Sequence, residues 1–325
     1  MTRTGSWIVM LCLASGWVLT GCDQPPAPPR TADGRSVKSV QIADPTSPEG
    51  QAAAALETAR VNYKYRLTVL AGYYNRIGNA NKLVWTQREL KNLDTAHTFS
   101  WTGIGEVLPP EGESVENADE RILAEFAVGA RKQYLQALDN LIDLYERTDN
   151  TFRHRLAKNV KDRFDPVHTY MYFMQAEVPP ADLKPIEVIP EANQLYDKAY
   201  DLYRSGKILP AVVDYKKERE ALLLFKELVR KYPQSDKIAL SAYYIGEILK
   251  EYFDEDLRAV QWYERAWQWD PNITKPARFQ AATVYDYRLQ DKAKAVEMYR
   301  AAIQHEQFNQ SNVGFAHGRI RDLTR

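Results

Sequence analysis

The residues that could do chemistry are few and scattered. His305-Glu306 opens like the helix of a zinc protease, in which a second histidine four places on completes the metal face, but Asn309 stands in that place. Asp254, Glu255 and Asp256 are similar to the acidic start of a calcium loop, yet no glycine follows where the turn needs one and Arg265 replaces the closing glutamate. They read as a solvated loop that caps the next helix. Gly103-Ile104-Gly105 lacks both a third glycine and a following phosphate-binding helix, and no serine sits in a glycine-flanked nucleophile motif. The five histidines, His97, His154, His168, His305 and His317, show no metal-ligand spacing. The two cysteines, Cys12 and Cys22, fall near the start and can build neither a disulfide framework nor a zinc site in the body. The expectation is a protein without catalytic residues, metal or cofactor. Two aromatic runs remain. Trp262-Tyr263 with Trp267 and Trp269 could stack on sugars, but the spacing suits packing between helices better; Tyr170-Met171-Tyr172-Phe173-Met174 likewise reads as core.

The elements that carry these residues follow from the totals. Forty-three basic and 43 acidic side chains balance over 325 residues, which argues against nucleic acid as a partner while leaving room for local basic patches. Twenty Tyr and seven Trp against fifteen Gly indicate a packed, aromatic-rich body. Helical spacing of Leu67, Leu70, Ala71 and Tyr74 predicts a long helix that stops at Gly78-Asn79, and a second helix runs over Ala80 to Leu93. The same pattern returns 71 residues downstream: Ala59, Arg60, Tyr63, Leu67, Leu70, Tyr74 and Arg76 align without gaps with Ala130, Arg131, Tyr134, Leu138, Leu141, Tyr145 and Arg147. One helical hairpin is used twice, with a long loop from Trp101 to Asn117 between the copies. A proline-rich break after Val178 divides an N-terminal helical domain, 50–178, from a C-terminal domain, 179–325.

The N-terminus has its own signature. Arg3 precedes an apolar run from Trp7 to Leu19, too short for a membrane span of ~20 residues and fit for a secretory signal over 1–21. It ends Leu19-Thr20-Gly21-Cys22, which resembles the lipobox of bacterial lipoproteins. That resemblance implies that Cys22 is diacylated and becomes the new N-terminus, tethering the body on the outer side of the cytoplasmic membrane with two or more acyl chains. Asp23-Gln24 resembles an inner-membrane retention signal; outer-membrane placement stays open. Residues 22–49, rich in Pro, Ser and Asp, read as a poorly ordered spacer.

From Ala192 the chain resembles the tetratricopeptide repeat. Ala259, Tyr263, Ala266 and Pro271 keep the second-helix spacing of that family, with Trp267 and Trp269 where leucines usually sit; Ala295, Tyr299 and Ala302 repeat it 36 residues later. Ala221, Phe225, Leu228 and Pro233 supply the unit before, and Gly246, Ala282 and Ala199 occupy the small first-helix position. The stretch Lys207 to Glu220 is read as an extension of a second helix, and Asn312 to Arg325 as a cap. Phe225 to Ser235 is also similar to the repeat lipoprotein of the outer-membrane β-barrel assembly machinery and to the periplasmic repeat protein of the Tol–Pal system. The resemblance implies an all-α fold, a helical-hairpin α-solenoid behind an N-terminal helical domain. It also implies a non-enzymatic scaffold binding peptides or helices of other cell-envelope proteins through its first helices. Tyr243, Glu247, Phe279 and Asp286 are the expected contact residues. A subunit of a membrane-protein assembly or secretion complex, or a solute-binding or enzymatic lipoprotein with a pocket beside the Trp101 loop, are the alternatives.

Overall fold

The computed structural model describes residues 38–110, 119–173, 177–209 and 212–325. Cys22, the signal segment and the first part of the spacer lie outside the described residues. The chain is mostly helical. In order it runs β1 (Lys38–Gln41), α1 (Pro48–Arg76), α2 (Ala80–Ala96), β2 (Phe99–Thr102), α3 (Glu120–Arg147), α4 (Thr151–Arg163) and α5 (Pro190–Gly206). It continues with β3 (Lys207–Leu209), β4 (Val212–Val213), α6 (Tyr215–Lys231), α7 (Ile238–Phe253) and α8 (Asp256–Trp269). Then come α9 (Ala277–Thr283), a π-helical turn over Val284–Arg288, α10 (Lys292–His305) and α11 (Gln310–Leu323).

The duplicated hairpin is visible in both its turns and its core. Ser47 accepts from the Gly50 amide and Pro48 preorganises the first turn of α1. The helix ends where Gly78 takes φ 71°, and Asn79 caps α2 by accepting from the Lys82 amide. In the second copy Asp149 takes φ 52° and Asn150 caps α4 through the Arg153 amide. Tyr63, Leu67, Leu70 and Tyr74 are buried, as are their counterparts Tyr134, Leu138, Leu141 and Tyr145. The two long helices run antiparallel: Tyr145, late in α3, donates to Glu49 at the start of α1, and Lys82, just past α1, pairs with Glu120 at the start of α3. Equivalent residues therefore meet, with the Tyr63 and Tyr134 rings 6.0 Å apart, and the two hairpins are related by an approximate two-fold axis beside these rings.

After Pro190 the helices pack instead on their neighbours in sequence, α5 on α6, α6 on α7, and so on to α11. Small residues mark the crossings. Ala199, Ala221, Ala242, Ala259, Ala266, Ala282 and Ala295 are buried, and a Cβ at Gly246 would lie 2.8 Å from the Tyr263 ring. The buried side chains form two clusters, one over α1–α4 and one over α5–α11, which also takes in Val167.

Three expectations need correction. The spacer gives way to structure before residue 49: β1 pairs in parallel with β2, Val40 opposite Trp101, and α1 begins at Pro48. Trp101 accordingly belongs to a strand and not to the loop, because Val40, Phe99 and Trp101 cover the core of the two hairpins. Lys207–Leu209 and Val212–Val213 are not helix but the antiparallel pair β3–β4, and α6 starts only after Asp214 accepts from the Lys216 and Lys217 amides. Gly206, the last residue of α5, leaves the room that the Glu218 carboxylate occupies, and beyond it the sequence carries the β-branched Ile208, Val212 and Val213 and a proline, which favour extended backbone. Trp267 is only partly buried; Trp262 and Trp269 are the tryptophans that fill the interior.

Candidate functional site

The first helices of the C-terminal pairs carry the four expected contact residues, and each is engaged within the stack. Tyr243 is buried on α7, its ring 5.7 Å from that of Tyr263 on α8. Glu247, one turn on, accepts the Tyr263 hydroxyl at 2.5 Å and lies 3.6 Å from the Lys250 ammonium. Phe279 on α9 packs edge-on against Phe315 of α11 at 5.8 Å and near Tyr299 at 5.9 Å. Asp286, in the π turn, is buried and takes two hydrogen bonds from Arg319 at 2.9 and 2.8 Å and one from the Tyr299 hydroxyl. Tyr243 and Asp286 therefore have little surface left to offer; they join first helices to second helices and to α11.

What that face does present is a ladder of rings. Tyr196 and Tyr200 on α5 are half-buried and stacked, 6.0 Å apart at 10°. Tyr200 and Tyr203 each lie 5.2 Å from Tyr244 of α7, which stacks on Phe225 behind it at 5.5 Å. Burial first, opposed at Tyr244 by Lys275 and helped at both by neighbouring hydroxyls, pushes the Tyr196 and Tyr244 phenols up, so both stay neutral donors and acceptors. Lys275 sits 5.4 Å over Tyr244 and Arg204 5.8 Å over Tyr200. The signal was in the sequence: Tyr196 and Tyr200 stand four apart at the edge of the same apolar stripe that carries the buried Ala192, Ala199 and Tyr203, and both pack partly buried against that core.

A second constellation, which sequence reasoning missed, joins the two halves. The segment between α4 and α5 is held on both sides by four carboxylates. Glu89 of α2, 1% exposed, accepts from Arg131 at 2.7 Å, from the Tyr63 and Tyr172 hydroxyls and from the Tyr170 amide. Asp165 takes a two-point contact from Arg219 at 2.9 and 3.0 Å together with the His168 ring; these outweigh burial and hold its carboxyl well below the usual range. Glu177 receives Lys226 at 2.6 Å and Arg258 at 2.7 Å, and although burial pushes it up, the two cations hold it down at about 2. Glu255, 2% exposed, accepts from Arg88 at 2.7 Å and from the Tyr170 hydroxyl at 2.6 Å. Of the acidic triplet Asp254 is exposed, as a solvated loop requires, but Glu255 at the N-cap of α8 makes no side-chain capping bond and points into the joint. Each of the four accepts at least two hydrogen bonds, an arrangement that fixes orientation and leaves little capacity for proton transfer to a substrate.

The other chemical leads resolve locally. Glu306, of the protease-like pair, is buried and caps α9 by accepting the Arg278 and Phe279 amides at 2.7 and 3.1 Å. Gly103 and Gly105 take positive φ as the chain leaves β2. Tyr170 is core, stacked on Trp85 at 5.1 Å, whereas Phe173 is exposed. The hollow beside the Trp101 segment, about 550 Å³, is lined by Ala55, Thr58, Ala59, Asn62, Leu108, Pro110 and Gln133, none of them titratable. Among the described residues no group of three His, Cys, Asp or Glu could hold a metal, and no helix is long and apolar enough to cross a membrane. The chain matches no family model, no curated protein and no solved structure.

Proposed function

We propose that the chain is a lipid-anchored scaffold of the bacterial cell envelope, whose C-terminal helix pairs stack as tetratricopeptide-type repeats and hold a peptide or helix of another envelope protein. The observation that carries this reading is the pair of half-buried rings Tyr196 and Tyr200 on the first helix α5, the outer end of a tyrosine ladder whose Tyr203 and Tyr244 are buried behind them. Half-buried, rigid rings with polar tips give large contact area at little cost in side-chain freedom, and they suit a partner that is part apolar and part hydrogen-bonding. The small residue in each first helix, Gly246 against Tyr263 above all, supports the repeat assignment, since close helix approach at that position is what the repeat requires. Lipidation at Cys22 supplies the location.

The contact set shifts with this geometry. Tyr196, Tyr200 and the rim cations Arg204 and Lys275 replace Tyr243 and Asp286 as the residues expected to touch a partner. The test is cross-linking in membranes followed by identification of adducts, with the parent chain and with Tyr196→Ala/Tyr200→Ala. Loss of a specific adduct from the double variant, at unchanged expression and unfolding midpoint, supports the reading. Recovery of the same adducts in the same yield defeats it. A chain with Cys22→Ser tests the anchor separately, by release from the membrane fraction.

A further inference from the structure

α4 is the most lopsided element of the molecule. Its thirteen residues hold Arg153, His154, Arg155, Lys158, Lys161 and Arg163 against the single acid Asp162, in a chain whose charges balance overall. Some of that charge is neutralised at home: Arg153 pairs with Glu49, Lys161 with Asp139, and Lys158 lies 3.9 Å from Asp162. Arg155 and Arg163 form no ion pair among the described residues. Ala157 and Val160 turn inward, while Phe152, Arg155, Asn159 and Arg163, at helical steps of three and four, share the exposed face. Phe152 is 65% exposed. Arg163 continues the strip onto Lys91 of α2, and both line, with Arg88 and Arg219, a cleft of about 370 Å³ between the two halves.

The position of α4 relative to the N-terminal segment gives this face a context. The Arg153 guanidinium donates to the Gln41 carbonyl at the end of β1, so the segment from Cys22 to β1 joins the body within one short strand, ~10 Å, of the first turn of α4. Exposed cations beside an exposed phenyl ring on one helix face are the pattern of a helix that lies on a bilayer: phosphates pair with the arginines while the ring enters the acyl boundary.

We propose that the Phe152–Arg163 face of α4 docks on the surface of an anionic phospholipid bilayer, orienting the body so that the tyrosine ladder is presented in a fixed direction. This docking does not depend on acylation, nor on the scaffold reading, and it is tested without either. The chain from residue 22 with Cys22→Ser, which keeps every described residue, is sedimented with vesicles of phosphatidylcholine alone and of phosphatidylcholine mixed with phosphatidylglycerol. Binding is expected only to the mixed vesicles and is expected to weaken with salt. Neutralising the strip with Arg155→Gln, Arg163→Gln and Lys91→Gln should weaken it by about five-fold per cation, roughly a hundred-fold together. Phe152→Ser, a single exposed change, should weaken it independently. Both variants replace exposed side chains, and unchanged circular dichroism and unfolding midpoints establish that they fold. Equal binding to neutral vesicles, binding indifferent to both variants, or tighter binding of the parent to duplex DNA than to anionic vesicles would each overturn the proposal.

Discussion

The two halves use the same building block and arrive at opposite solutions. In α1–α4 a hairpin meets its own copy by rotation: α1 and α3 lie antiparallel, equivalent tyrosines touch, and each copy covers the apolar face of the other. In α5–α11 each helix packs on the next along the chain, and the half-buried Tyr196 and Tyr200 stay at the edge of that core. Rotation closes a surface, whereas succession leaves one open. The tyrosine ladder sits on the open half, and the four-carboxylate joint is where the two solutions are fastened together.

The contrast breaks most sharply if interior aromatics of the stack are removed. Trp262→Ala deletes a ring 1% exposed and should cost about 3–5 kcal/mol, read as a lowered urea midpoint. Trp267→Ala removes a partly buried ring that lies beside Arg278, and should cost clearly less. Equal losses would mean that the stack does not pack as described.

Removing the fastener is the next largest change. Glu255→Gln leaves Arg88 without the negative charge it faces across the joint, while Arg258 beside it on α8 keeps Glu177, at a cost of about 3 kcal/mol. The halves should then melt in two steps where the parent melts in one. A single transition in the variant would show that cooperation between the halves runs through other contacts.

Legibility divides along the same line. The hairpins could be read because their information is local: Tyr63, Leu67, Leu70 and Tyr74 repeat at helical intervals, and Gly78-Asn79 announces the stop. The small residues opposite tyrosines in the second half were legible for the same reason. What escaped depends on partners far away in sequence. Nothing near Glu255 signals Arg88 or Tyr170, nothing near Lys38 signals Phe99, and Asp286 reads as a surface acid until Arg319 is seen beside it. The β3–β4 pair was missed although Gly206, Pro210 and the valines favour it, because the flanking amphipathic pattern invited one continuous helix.

A third test separates the halves by pH. Glu218 is fully buried beside Gly206, and neither of its oxygens has a hydrogen-bond partner. Burial, only partly offset by Lys207 and reinforced by Asp214, raises its carboxyl from an ordinary value of 4.5 to about 7. Between those values the folded chain keeps a proton that the unfolded chain has lost, so stability falls as pH rises through that window and stays lower above it. The loss amounts to at most about 3 kcal/mol. Glu218→Gln should abolish that slope, making the variant more stable than the parent at pH ~8 relative to pH ~5. Identical pH profiles of the unfolding midpoint would exclude Glu218 as the source.

The smallest effects give the cleanest contrast, because the same substitution should change sign between the halves. Gly72 lies inside α1 with nothing within 4 Å of the place a Cβ would take, so Gly72→Ala adds no contact and only restricts the unfolded chain; a gain of about 0.5–1 kcal/mol is expected. Gly246 lies inside α7 where that carbon would press on the Tyr263 ring at 2.8 Å, and the ring is held by its hydroxyl on Glu247. Tyr263 is fully buried and cannot swing aside without pushing Tyr243, so Gly246→Ala should cost about 1–3 kcal/mol despite the better helix propensity of alanine. If both variants are stabilised, α7 and α8 do not approach as closely as the geometry requires, and the distinction between a half closed by rotation and a half built by close-packed succession loses its physical basis.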